Sequence, residues 1–159
     1  MLKCRLLCVG KLKEHYWREA CAEYEKRLRP YCRFSVTELS ESRLPGSPSG
    51  AQIRQALDRE AAGILSAAGG SALVALCIEG DSVSSERLAD LLRTAAARGT
   101  SEIGFVIGSS YGLSERVKQK ADFRLSLSAL TFPHQLARVM LCEQIYRAFQ
   151  INGNRKYHK

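Results

Sequence analysis

A chain of 159 residues, 45% hydrophobic and 25% charged, suits one globular domain over residues 1–159 and excludes a disordered or fibrous protein. Such a domain buries about 70% of the surface its unfolded form exposes. The net charge of +8 sits at the two ends: residues 1–50 carry 10 basic and 6 acidic groups, residues 51–100 carry 5 and 6, and residues 101–159 carry 9 and 4. This distribution points to a polyanionic partner such as RNA or DNA, with a solvated basic surface as the alternative.

Residues 2–9 alternate like a buried strand, and Gly10 offers a turn before a helix over Glu14 to Arg29, striped by Trp17, Cys21, Tyr24 and Leu28. Pro30 stops that helix, and Cys32 to Thr37 alternates with period two as a second strand. Ser40 to Gly50, with two prolines and two glycines, reads as an exposed loop. A second helix is predicted over Ala51 to Ala68, capped by Gly69-Gly70, followed by the continuous apolar run Ala72 to Ile78 of a strand buried on both faces. Glu79-Gly80-Asp81 breaks that strand before a third helix, Ser85 to Arg98. Glu102 to Ile107 repeats the pattern, ending in the loop Gly108 to Gly112 and a short helix, Ser114 to Ala121. Phe123 to Ser128 forms the last strand, and Pro133 opens a long helix reaching Gln150.

Strands alternating with helices at this spacing predict an α/β fold, a mostly parallel sheet flanked by helices on both faces. The longest apolar run near the start, Leu6 to Val9, is too short for a membrane span or a signal-peptide core, so the cytoplasm is the expected location. Six cysteines without CxxC spacing and only three histidines give no zinc site and no disulfide framework; Cys4 and Cys8 read as small core residues.

In parallel sheets ligands bind beyond the carboxyl ends of the strands, which selects the loops after Ile78, Ile107 and Ser128. Glu79-Gly80, Gly108 to Gly112 and Ser126 to Thr131 are all rich in small residues that let backbone approach a ligand. The glycine loop lacks GxGxxG spacing and a Walker lysine, and no acidic ribose ligand follows it, which argues against a dinucleotide oxidoreductase. The last helix leaves little of its circumference polar, so it is either central to its own core or set against a partner subunit. Its sequel, Ile151 to Lys159, reads either as a frayed tail or as an arm whose Arg155 and Lys156 meet phosphates while Tyr157 and His158 stack and transfer protons.

The block Leu125-Ser126-Leu127-Ser128-Ala129-Leu130-Thr131-Phe132-Pro133-His134, followed by Arg138-Val139 and Glu143 to Ala148, resembles the RlmH (YbeA) family of SPOUT RNA methyltransferases. The resemblance runs from Val9-Gly10-Lys11 to Tyr157-His158. It implies S-adenosylmethionine-dependent methylation of N3 of a pseudouridine in a stem-loop of the large-subunit ribosomal RNA at the subunit interface, within the ribosome or its large subunit. It also implies a homodimer, no metal, and a deep carboxyl-terminal trefoil knot, which general topology rules would have argued against.

By position, the cofactor contacts it implies are Leu76, Gly108 and the six residues Leu127, Ser128, Ala129, Leu130, Thr131 and Phe132. His158, Tyr157 and Arg147 become the candidates for proton transfer and anion stabilisation, with His134 weighed lower because the first turn of a helix suits a cofactor-shaping role equally well. Arg138, Arg155 and Lys156 are the expected RNA contacts. Ser109 stands where the family commonly has a second glycine, and a positive backbone dihedral there would strain the loop. The rival reading is a non-catalytic ribosome-associated RNA-binding factor, which cofactor binding separates from an enzyme.

Overall fold

The computed structural model describes all 159 residues. The elements follow in the order β1 (Lys3–Val9), α1 (His15–Leu28), β2 (Arg33–Leu39), α2 (Gly50–Ala68), β3 (Ala72–Ser82), α3 (Ser85–Ala97), β4 (Glu102–Ile107), α4 (Glu115–Lys120), β5 (Phe123–Ser126) and α5 (His134–Asn152). All the strands pair in parallel, in the order β2-β1-β4-β3-β5. Serines start three of the helices as local chemistry requires. Ser49 forms a capping box with Gln52, while Ser84 and Ser114 accept the backbone N–H groups of Arg87 and Arg116.

The period-two pattern divides the apolar side chains between two layers. On one face Cys4, Leu6, Cys8, Ile103, Phe105 and Ile107 pack against α1, α3 and α5; on the other Leu7, Val9, Leu73, Ala75 and Val106 meet α2 and α4. Cys4 and Cys8 lie in the first of these layers, as their even spacing predicts. Burial pushes the Cys8 thiol up to about 12, so it behaves as an apolar side chain.

Two boundaries differ from the sequence reading, and both shape the site. β3 is not ended by Glu79-Gly80-Asp81: it pairs with Leu125 of β5 through Leu76, bulges out over residues 77–80, and returns to pair Asp81 with Leu125 and Ser82 with Ser126. The apolar run stops at Ile78 because the bulge leaves the sheet, not because the strand does. β5 is correspondingly short, so residues 127–133 form a free connection to α5.

The long α5 lies between α1 and α3. Leu141, Cys142, Ile145 and Ala148 are fully buried in its own core, while Leu136, Val139, Met140, Tyr146 and Phe149 remain half-buried around the rest of its surface. Replacing Leu141 with Ala is expected to cost roughly 2–5 kcal/mol by leaving a cavity. Replacing Leu130, which is 70% exposed, should stay within about 0.5 kcal/mol. Urea unfolding of the two variants at unchanged m-value tests the contrast.

Candidate functional site

The carboxyl ends of β3, β4 and β5 face a cleft of about 310 Å³. The three loops selected from the sequence line it together: Leu76 and the bulge residues Cys77 to Glu79, Ile107 to Leu113 on the glycine loop, and Leu127, Ser128, Leu130, Thr131 and Phe132 on the connection to α5. Ala129 is exposed and is not part of the lining. The volume falls in the range of small-molecule sites, roughly 300–1,000 Å³.

Close approach of backbone explains the glycine at 108. A Cβ there would lie 2.2 Å from the Gly112 carbonyl oxygen, a separation no side chain survives. The loop folds over itself through an isolated bridge between Ser109 and Gly112, and the Gly112 N–H donates to the Ser109 carbonyl at 2.9 Å. The positive dihedral falls at Gly112, with φ 87°, and not at Ser109. Serine is therefore accommodated without strain, buried, its hydroxyl oxygen 3.4 Å from the Tyr111 N–H. The condition under which serine would strain the loop, a positive dihedral at 109, is not met.

His134 begins α5 at the cleft wall. Its Nδ1 is buried without a hydrogen-bond partner, and burial, helped by Arg138 and opposed by Glu41, holds its pKa below the ordinary imidazole value.

A second polar cluster involves the tail. After α5 the chain reverses through Gly153 and Asn154, the latter in the left-handed region at φ 52°, and the Arg155 N–H donates to the Gln150 carbonyl at 2.9 Å. The tail is thereby laid back on α5. The Tyr157 hydroxyl donates to Glu143 at 2.9 Å, its ring meets Tyr146 edge-on at 5.0 Å, and the Arg147 guanidinium stacks over it at 4.7 Å. His158 Nδ1 lies 3.3 Å from the Arg147 guanidinium, and its Nε2 lies 2.6 Å from Glu86.

Because guanidinium can only donate and carboxylate can only accept, Arg147 is placed to donate to Nδ1 and the Nε2–H to donate to Glu86. Glu86 stands in the first turn of α3, where the backbone N–H, then His158 and Ser84, bring its pKa down to about 2. Burial and the neighbouring Glu143 push Tyr157 the other way, so its phenol stays protonated.

The family described as "Predicted SPOUT methyltransferase" matches residues 2–158. Proteins named ribosomal RNA large subunit methyltransferase H from Streptococcus equi subsp. zooepidemicus (strain MGCS10565) and Streptococcus equi subsp. equi (strain 4047) are each 43% identical over 159 residues, covering 99% of this chain and 100% of their own. The chain belongs to the SPOUT methyltransferase family.

Solved structures of the same fold include a probable methylase family protein from Haemophilus influenzae Rd KW20, with TM-score 0.55 and 13% identity over 98% of this chain and 70% of that one. Another is a probable methyltransferase from Bordetella pertussis Tohama I, with TM-score 0.54 and 12% identity over 93% of this chain and 96% of that one.

Within this SPOUT chain the expected site residues fall into separate places. Leu76, Gly108 and the 127–132 connection share the cleft, whereas Arg147, Tyr157 and His158 form the tail cluster and do not line it. Leu127 separates the two, because it also walls a smaller cavity of about 230 Å³ that Glu143 lines from behind. Arg155 sits over the Tyr31 ring at 5.4 Å, and Lys156 is exposed.

Arg138, one of the expected RNA contacts, is held within the protein. It is only 6% exposed, its guanidinium donating to Glu38 at 3.0 Å and to the Gly10 carbonyl at 3.3 Å. Both partners lie at the carboxyl ends of β1 and β2, so the guanidinium ties α5 to the sheet. Residues that sequence reading did not select include Glu86 and Lys118. Glu143 was legible as the i,i+4 partner of Arg147; nothing local marks Glu86, which comes from 72 residues away.

Two consequences are measurable. Arg138→Met should lower stability by about 1.5–3 kcal/mol, the scale of hydrogen bonds to charged groups, whereas a pure phosphate contact would leave stability unchanged. For His134 the folded-state pKa is depressed, so the unfolded chain binds more protons and stability falls as pH drops below 6.5. His134→Gln should remove that part of the decline, read from urea midpoints measured above and below this pH.

Proposed function

We propose that this chain, as one domain over residues 1–159, transfers the methyl group of S-adenosylmethionine to N3 of a pseudouridine in large-subunit ribosomal RNA. It does so as a cytoplasmic homodimer acting on the ribosome or its large subunit. The observation that carries the reading is the convergence of Leu76, Gly108 and the 127–132 connection on one cleft at the sheet's carboxyl edge. The printed names of the Streptococcus relatives support the ribosomal RNA as substrate. The trefoil knot belongs to the same proposal, supported by the family match.

The residues present suit this cofactor. Gly108 lets the glycine loop fold tightly on itself at the cleft wall, and Leu76, Ile107, Leu127 and Phe132 give an apolar slot for an aromatic base. His134, with an unpartnered buried Nδ1, shapes the wall beside it. When bound, S-adenosylmethionine supplies an electrophilic methyl group on its sulfonium.

N3 of pseudouridine must lose a proton before, or as, it attacks that methyl group. Among the tail residues, His158 is the better acceptor, its Nδ1 offering a lone pair once Arg147 turns from it to the developing anion. Tyr157 has a raised pKa and a hydrogen bond to Glu143, which suits it to hold the tail and to stack on a base. Arg155 and Lys156 are then the tail's phosphate contacts.

A homodimer places one protomer's tail beside its partner's cleft, a reading supported by the absence of the tail from its own cleft lining and by the half-buried apolar surface of α5.

The test is transfer of labelled methyl from S-adenosylmethionine to ribosomal RNA, supplied free, in large subunits and in assembled ribosomes, followed by mass mapping of the modified nucleotide. Methyl on a pseudouridine N3 is expected; no transfer to any unmethylated preparation would refute the proposal and leave the RNA-binding factor. Removing residues 155–159 should abolish transfer while folding and dimerisation persist, and full activity of the shortened chain would overturn the tail's assignment.

A further inference from the structure

The cleft is lined by apolar residues, glycines and neutral polar side chains, and its formal charge comes from two residues, Lys118 and Glu79, ion-paired with each other. Two further ionisable side chains in the wall carry no charge, since burial pushes the Cys77 thiol up and holds the His134 imidazole down.

The pair is built in from both sides. Lys118 follows the fully buried Val117 on α4, and Ser114, which caps that helix, donates its hydroxyl to Asp58 at 2.7 Å. The Lys118 side chain is 14% exposed, and Glu115 gives it a second carboxylate at 3.5 Å. Glu79 rides on the 77–80 bulge of β3. Gly80 locks that bulge, because a Cβ there would lie 2.8–2.9 Å from backbone atoms of Arg124 and Leu125.

An ion pair in the wall of an otherwise uncharged cleft is chemically matched to a zwitterion. An α-amino acid group inserted between the partners replaces one ion pair by two, carboxylate on ammonium and ammonium on carboxylate, and leaves no charge uncompensated. S-adenosylmethionine is adenosine at one end and an α-amino acid at the other. The apolar slot and glycine loop accept the first and offer nothing ionic to the second.

We propose that Lys118 and Glu79 form the amino-acid subsite of the cleft, Lys118 taking the cofactor's α-carboxylate and Glu79 its α-ammonium. The assignment rests on the proposed S-adenosylmethionine cofactor. It orients the ligand with its charged end under the bulge and α4, leaving the Gly108 loop and the 127–132 connection to the adenosine.

Calorimetric titration of the full chain tests this with three ligands: S-adenosylmethionine, its decarboxylated form, which keeps the ammonium, and 5′-methylthioadenosine, which lacks the amino-acid end. Lys118→Met should weaken S-adenosylmethionine by about tenfold or more, the scale of one charge-assisted contact, and leave the other two ligands nearly unchanged. Glu79→Gln should weaken both ammonium-bearing ligands and spare methylthioadenosine. Lys118→Arg, which keeps the cation and guards against a variant that does not fold, should retain the preference for the carboxylated ligand.

Equal losses for all three ligands would mean that the pair merely holds α4 to the bulge and would overturn the subsite alone, as would unchanged binding of S-adenosylmethionine by both neutral variants. A wild-type chain that binds no S-adenosylmethionine would overturn the cofactor reading and the subsite with it.

Discussion

The cleft depends on one irregularity in the sheet: β3 departs from β5 after Leu76 and rejoins it at Asp81, so that Leu125 pairs on both sides of the gap. A regular parallel ladder would have carried residues 77–80 on along the sheet; the bulge turns them out over its edge instead. Gly80 makes the return possible, passing so close to the Arg124 and Leu125 backbone that any side chain would force the strands apart. Everything at the site takes its position from this. Leu76 is left at the floor, Glu79 is raised on the rim, and β5 is cut short so that residues 127–133 swing out as the opposite wall before α5 begins.

The second constraint is the burial of α5. Its fully buried side recruits α1 and α3, but a helix with apolar residues around most of its circumference is hard to register by packing alone, since rotation about its axis exposes similar side chains. Directional interactions supply the missing specification. Arg138 reaches Glu38 and the Gly10 carbonyl, the Ser85 hydroxyl donates to Gln144 at 2.6 Å, and the Asn152 amide donates to the Ala89 carbonyl at 2.9 Å. With its rotation set, α5 points His134 at the cleft and Glu143 and Arg147 at the tail. Directional polar contacts here select one arrangement among several of similar apolar burial.

The α/β alternation, the parallel sheet and the three cleft loops were legible in the sequence because each depends on local pattern: continuous apolar runs, breakers after strands, and serines before helices. The bulge was not, because Glu79-Gly80-Asp81 carries the same breaker signal whether a strand ends or detours, and only the partner strand decides. The docked tail was half legible. Asn152-Gly153-Asn154 is a turn signal, yet what the turn folds back onto is set by Glu86, Glu143 and Tyr146, which no spacing near residue 158 reveals. The anchoring of Arg138 was not legible for a related reason: its long-range partner, Glu38, lies one hundred residues earlier.

These placements bear on a conflict of charge. The protein is strongly basic, which suits the proposed RNA substrate, while the proposed cofactor is itself a cation, bearing a sulfonium and an ammonium against one carboxylate. A cleft sharing the protein's net charge would repel it through a medium of low dielectric, where such repulsion is largest. The structure keeps the cleft formally neutral at each point where charge could enter. Lys118 is matched by Glu79, Arg138 is turned away to Glu38, and His134 is held uncharged by burial, with Arg138 as a lesser contribution. The unpaired lysines and arginines lie on the outer surface, where they act on a polyanion at long range and are screened from the cleft by solvent. Attraction of RNA and accommodation of a cationic methyl donor thus need no compromise, because the buried and exposed charges are sorted by the same fold that builds the cleft.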